Sequence, residues 1–327
     1  MRARHALVSG IVALFAAAQG APALAQAQYP SRPIHLIVPF PAGGSSDLLG
    51  RALAKKMSEG LAQQVVVENR AGAGGTIGIG AVAKAPADGY TLGLGTVSTL
   101  GMAPVVRAKP PYDSLAAFAP VSLVASAPFV LVVNASVPAK SLAEMIELAK
   151  SRPGQLNFAS IGDGTLQHFT GESFKSLAGV NMVHVPYKGV APALVDLLAG
   201  QVQVMFDILA SFQLQNIQSG KLRALAVLGP ARIAQLPLVP TTAEAGFKGF
   251  EVTAWFGAIA PRGTAPEIVA RLNAEVRKAV ASLEMRDAIS TQGFEPAASS
   301  PEEFSGVIRG EMEKWARVAK ATGFKAE

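Results

Sequence analysis

Asp47, His168 and Asp207, with the hydroxyls of Ser46, Ser160 and Thr165, are the side chains with the chemistry to act on or hold a small molecule. None falls into a spacing that marks catalysis. Cysteine is absent, which removes thiolate nucleophiles, disulfides and cysteine metal sites. The four histidines are dispersed and no H-E-x-x-H pair occurs, so neither a metal nor a cofactor is expected. There is no G-x-x-x-x-G-K-[ST] loop and no G-x-S-x-G elbow. Gly78–Ala83 fits the loose pattern G-x-G-x-x-A, but inside an expected helix and not directly after a strand. A Ser160–His168–Asp207 triad would have to assemble from distant positions. The chemistry that remains is binding.

The binding signal lies in the backbone. An apolar run over 34–40 reads as a buried strand, and Asp47, Leu48, Leu49, Ala52, Leu53 and Met57 open a helix. Between them Gly43 and Gly44 form a turn that can reach backbone angles other residues avoid. A strand end, a glycine turn and a helix N-terminus present N–H groups and about half a positive charge, which is an anion site without lysine or arginine. The device recurs at Gly72, Gly74, Gly75 and Thr76, at 160–165, and at 186–189. In open parallel sheets, ligands bind outside the carboxyl ends of strands at such junctions.

The side chains nearby admit two readings each. Asp47, in a first helical turn, is expected to satisfy backbone N–H groups, since beside a carboxylate ligand it would be repelled. His168 lies three residues after Thr165, on the same side of a helix, and either meets ligand or packs. Asp207 either holds a turn or orients a ligand amine or bridging water. Tyr187 is assigned to packing, Arg70 to the surface and His184 to a core strand, and His35 has no partner motif.

The elements that would position these groups alternate between strand and helix. Strands are expected at 34–40, 65–68 and 90–95, with a helix to about Glu59 capped by Gly60 and another over 76–85. The stretch 104–120 is proline-rich and reads as irregular. Strands 121–125 and 129–133, broken by Pro128, carry a first crossing between two domains, and 230–249 marks the return. Ser141, Thr264 and Ser300 each open a helix with a capping box. The expected fold class is α/β, with two domains each built on a mixed sheet flanked by helices.

Composition agrees with an exported binder. Of 327 residues, half are hydrophobic and 16% charged, enough for two packed cores. Arg2 and Arg4, the apolar stretch 6–18 and Ala23-Leu24-Ala25 form a signal peptide over 1–25. Its removal takes the net charge from +6 to +4. The basic residues are scattered, so nucleic acid is not an expected partner. A soluble mature chain in the periplasm is the expectation.

Eight stretches, among them PFPAGGSSD (39–47), VVVENRAGAGGTIG (65–78), LNFASIGDGTLQHFTGE (156–172) and VHVPYKGVAPALVDLLAGQVQVMFD (183–207), resemble the Bug-type periplasmic receptors of tripartite tricarboxylate transporters. The resemblance runs in order over the mature chain. It implies a two-domain flytrap joined by crossing strands, with domain 1 at 26–126 and 229–327 and domain 2 at 127–228. It also implies a small carboxylate ligand, a membrane permease as partner, a monomer and no enzymatic activity. Carried over residue by residue, it assigns ligand contacts to Phe40, Ala42, Gly43, Gly44 and Ser46, to Gly74, Gly75, Thr76 and Thr99, and to Ser160, Gly164, Thr165, His168 and Asp207. Ile161, Asp163 and Ile208 depart from the family pattern and leave the ligand's identity open. The alternatives are a receptor feeding a membrane sensor and a secreted hydrolase on the same scaffold.

Overall fold

The computed structural model describes residues 29–323; the signal peptide expected over 1–25 lies outside the described residues. The strands are β1 (Ile34–Val38), β2 (Val65–Asn69), β3 (Thr91–Thr96), β4 (Phe118–Asn134), β5 (Asn157–Ser160), β6 (Val183–Pro186), β7 (Val204–Ile208), β8 (Leu222–Val227), β9 (Thr253–Pro261) and β10 (Glu295–Pro296). They form one sheet in the order β2-β1-β3-β9-β4-β7-β5-β6, with β8 and β10 also on β4.

The pairs β1–β2, β1–β3, β5–β6 and β5–β7 are parallel, and the pairs of β4 and β9 are antiparallel. Parallel neighbours need a crossover, and helices supply it. Ser45–Leu61 returns β1 to β2, and Thr76–Ala83 returns β2 to β3. Leu166–Ala178 and Val190–Leu198 do the same between β5, β6 and β7. This is why Ile34, Leu36, Ile37 and Val38 are buried and read as a near-continuous apolar run. A separate cluster built on Val130, Val132, Ala159, Leu197, Met205 and Val227 fills the second lobe.

Strand β4 joins the two halves. Up to Pro128 it pairs with β9, and from Phe129 it pairs with β7 and, one residue on, with β8. The expected break at Pro128 is therefore a change of partners within one 17-residue strand. The returning chain is stitched beside it: Leu228 N–H donates to Phe129 O (2.7 Å), Val252 N–H to Leu228 O (2.7 Å) and Phe129 N–H to Val252 O (3.2 Å).

Other local expectations are corrected. Within 104–120 only 108–113 is irregular: Pro104 sits in the first turn of Ala103–Val106, Asp113 caps Ser114–Ala117 and β4 begins at Phe118, while Val97–Met102 before them is a wide turn capped by Thr96. Proline in a first helical turn breaks no hydrogen bond, so its presence did not mean irregular chain. Gly60 does not end its helix, which runs to Leu61 with Ala62 left-handed at φ 52°. A Cβ at Gly60 would strike the Glu275 carboxylate, so its smallness serves packing. Thr264 donates to Pro261 O (2.8 Å) and caps nothing; the helix Pro266–Ala281 follows Ala265. At Ser300 the capping box forms in full. At Ser141 the hydroxyl caps Glu144 N–H, but Glu144 turns to Lys140 N–H.

Candidate ligand-binding cleft

Strand β1 delivers its chain to the first turn. Gly43 is left-handed (φ 81°), and its N–H donates to Asp47 Oδ2 at 2.9 Å. Asp47 also accepts from Arg51 Nε (3.0 Å) and Asn69 Nδ2 (2.9 Å), and Asn69 Nδ2 reaches Phe40 O as well. Burial opposes the charge on Asp47, but these donors outweigh it and hold the carboxyl below its usual range. The carboxylate thus braces the turn, as the sequence indicates. The N–H groups of Asp47 and Leu48 return to Gly44 O, which leaves the helix's leading amides at Ser45 and Ser46 directed outward.

The second turn is wound through four successive left-handed or related residues, Gly72 (φ 131°), Ala73 (46°), Gly74 (64°) and Gly75 (91°). It packs tightly: a Cβ on Gly75 would lie 2.8 Å from Thr99 Cγ2, and one on Gly74 2.8 Å from Asp163 O. Arg107 sits across the same gap, donating to Ala73 O (2.9 Å) and Asp163 O (3.4 Å).

The third turn differs from the expected open cradle. Gly162 N–H goes to Ser160 Oγ, Gly164 N–H to His168 Nδ1, and Thr165 N–H to Gly162 O. Leu166 N–H goes to Ser98 Oγ of the first lobe (2.9 Å). These amides are spent on the protein itself. The fourth turn is the open one. Gly189 (φ 112°) precedes the helix Val190–Leu198 without a side-chain cap.

Between the lobes lies a cleft of about 840 Å³ whose walls include Phe40, Gly74, Gly75, Arg107, Asp163, His168, Tyr187 and Gly189. Below it a chamber of about 110 Å³ is lined by Gly44, Ser45 and Ser46 from one helix N-terminus and Gly189, Val190 and Ala191 from another. A Cβ on Gly44 would stand 3.8 Å from Val190 Cγ1, so the two helix ends face each other closely. Asp207 forms another part of that wall. It is buried, and accepts from Gln167 Nε2 (2.8 Å) and Gln213 Nε2 (2.7 Å). Burial nonetheless pushes its carboxyl up to about 6.

His168 and His184 stack with ring centroids 3.6 Å apart and planes 10° apart. Ser160 Oγ lies 2.7 Å from His184 Nε2. Burial, then the neighbouring His184 and Lys175, push His168 down to about 3; burial also lowers His184, against the pull of Asp163. Both are neutral imidazoles at neutral pH. With Asp163 they bring three ligand atoms within 4.8 Å of one another. Parallel stacked rings hold their lone pairs side by side, so one ion would lie outside both ring planes, a poor arrangement for imidazole ligation.

Of the sequence-assigned residues, Phe40, Ala42, Gly44, Ser46, Gly74, Gly75, His168 and Asp207 line the cleft or its chamber. Gly43, Thr76, Thr99, Ser160, Gly164 and Thr165 stand behind them as turn and cap residues. Thr99, for example, caps and is capped by Thr96, and Thr76 Oγ1 donates to Ala73 O. His184 is half-buried against His168 instead of in a core. Tyr187 lines the cleft while its hydroxyl donates to Asp196 (2.6 Å), and Arg70 pairs with Glu68 on the surface. His35, which belongs to no motif, meets Glu68 Oε1 at 2.5 Å on the surface. Arg107, Gln167, Lys188 and Trp255 belong to no motif; glycine turns adjoin Gln167 and Lys188, and nothing local marks Arg107 or Trp255.

Two α/β lobes, crossing strands and a cleft ringed by helix N-termini define a periplasmic-binding-protein architecture. Residues 49–324 match the tripartite tricarboxylate transporter family receptor (TctC) profile, and the chain belongs to that family of solute-binding receptors. Protein BugT of Bordetella pertussis (strain Tohama I) is 41% identical over 317 residues, spanning 96% of this chain and 97% of BugT. Among solved structures, the periplasmic binding protein BugD is 36% identical with a TM-score of 0.85, covering 91% of this chain and 99% of BugD. R. palustris Rpa4515 with adipate is 38% identical with a TM-score of 0.86, over 91% and 99% of the two chains.

Proposed function

We propose that this chain is a periplasmic receptor that captures a small carboxylate between its lobes and delivers it to the membrane permease of a tripartite tricarboxylate-type transporter. The observation that carries the reading is the pair of opposed helix N-termini, at Ser45 and Val190, on one chamber. Each contributes about half a positive charge, so together they match one carboxylate without a cationic side chain. The adipate held by Rpa4515 supports the ligand class.

The lobes, taken as 26–126 with 229–327 against 127–228, would close on the ligand by bending where β4 changes partners. Ligand shifts the population toward the closed form, which the permease reads. The signal peptide, the periplasmic location and a monomeric receptor complete the reading, and no chemistry on the ligand is part of it.

The test is a melting screen of the refolded mature chain against carboxylates and their primary amides. A ligand at 100 times its Kd adds about 2.7 kcal/mol. A shift with an acid and none with its amide supports the reading. Equal shifts with both would overturn it.

A further inference from the structure

Next to the anion chamber, and sharing Phe40, Ile161 and Ile208 with it, lies a second one of about 40 Å³. Its walls are mainly apolar, with Phe129 added from β4. The hydroxyl residues Ser46, Thr96 and Ser98 interrupt them, and so do two polar groups that lack a partner. Gln167 Oε1 and Trp255 Nε1 are both buried without a hydrogen-bond partner, on side chains that line this chamber. A buried acceptor and a buried donor left unpaired each cost free energy, and native proteins rarely tolerate two in one place.

Their surroundings do not resolve the deficit. Gln167 is locked in orientation, because its Nε2 donates to Asp207 and its Oε1 must therefore point elsewhere. Trp255 is wedged edge-on against Phe304, with ring centroids 5.4 Å apart. Among the described residues no lysine, arginine or histidine lines the chamber.

We infer that this second chamber recognises the far end of the ligand, and that this end carries a neutral hydroxyl. The inference rests on the carboxylate being held in the neighbouring chamber, at the helix N-termini. A hydroxyl oxygen accepts from Trp255 Nε1–H, and its proton goes to Gln167 Oε1. A second carboxylate can accept from tryptophan but offers nothing to Gln167 Oε1. The ligand class is a small monocarboxylate with an apolar body and a terminal hydroxyl. Trp255 and Gln167 are its specificity-determining residues.

The experiment is calorimetry on the refolded mature chain with three matched unbranched series: ω-hydroxy acids, the corresponding alkanoates and the corresponding diacids. Each hydroxy acid is paired with its primary amide. At the chain length that fits, the hydroxy acid should bind at least about tenfold tighter than the alkanoate, the usual worth of a buried hydrogen-bond pair. The diacid should bind more weakly than the hydroxy acid. Trp255→Phe should shrink the preference for hydroxy acid over alkanoate to about twofold or less.

Should that variant fail to fold, the wild type still answers. It has only two tryptophans, and Trp315 Nε1 is committed to Glu311. The Trp255 indole N–H resonance should move on adding the hydroxy acid and not the alkanoate. Equal affinity for hydroxy acid and alkanoate, with an unmoved indole signal, overturns the inference and leaves the carboxylate reading intact. Tightest binding by the diacid overturns it as well. If the amides bind as well as the acids, the carboxylate reading fails first and the inference falls with it.

Discussion

The first and third turns have the same sequence grammar, a strand end, two glycines and a helix, yet they do different work. At Gly43–Ser46 one side chain, Asp47, braces the loop from behind and leaves the leading amides of the helix outward. At Ser160–Leu166 every amide named above is consumed, by Ser160, Gly162, His168 and, across the lobes, Ser98. The first wall presents unspent backbone N–H groups. The third turn does not, and beside it the chamber is lined by side chains, Asp207 and Gln167 above all. A cradle is thus defined by which of its N–H groups remain unspent, and glycine alone does not reveal that.

The contrast can be broken at several points, the largest first. Gly75→Val places a branched side chain where a Cβ already lies 2.8 Å from Thr99 Cγ2, at φ 91°. Strain and overpacking together should cost about 3 kcal/mol or more, seen as a lowered denaturation midpoint with binding lost. This variant reports on the fold as much as on the ligand.

Asp207 belongs to the side-chain wall and should show itself through pH. Its folded pKa of about 6 lies above its ordinary 3.8, so the folded chain binds more protons than the unfolded chain between those values. The associated stability is present below about pH 4 and is lost as pH rises through 6, by about 3 kcal/mol. His168 works in the opposite sense: its folded pKa of about 3 lies below 6.5, so its stability is present above pH 6.5 and fades as pH falls. Denaturation of wild type and Asp207→Asn side by side should show the difference moving in the wild type's favour as pH falls from 7 to 4. Carboxylate affinity should weaken as pH rises through 6 in the wild type and stay level in the variant.

Gly44→Ala isolates the backbone wall. Gly44 has an ordinary φ of −83°, and its Cβ would meet nothing nearer than Pro41 O at 3.6 Å. The fold should be unchanged, while a methyl between the two helix ends should weaken carboxylate binding more than about tenfold, or over 1.4 kcal/mol. The smallest effect belongs to Gly43→Ala. Nothing lies within 4 Å of its Cβ, but φ 81° disfavours alanine, and a stability loss of about 1 kcal/mol should appear in denaturant melts.

Much of this arrangement was legible in the sequence. The apolar run of β1, the paired glycines and Asp47 lie within fourteen residues (34–47), and their chemistry is local. The strand–helix alternation follows from short-range patterns for the same reason. What stayed hidden depends on distant partners. Pro128 reads as a break because its change of pairing from β9 to β7 and β8 involves chain on both sides of it. His184 reads as a core residue because its stack joins strand β6 to His168 on the preceding helix, a contact that no local pattern shows. The spent amides of the third turn are invisible because Ser98, which takes one of them, lies 68 residues away from Leu166. Trp255 gives no local sign that its N–H is left over.

The most direct test of the central claim is an amide-resolved NMR titration of the refolded mature chain with a carboxylate that stabilises it. The account predicts that the N–H resonances of Ser45, Ser46, Gly189 and Val190 move downfield as the site fills, while those of Gly162, Gly164 and Leu166 hold nearly still. Shifts centred on the side chains of Arg107 and Lys188, with the helix-end amides unmoved, would contradict it and place the anion on cationic side chains.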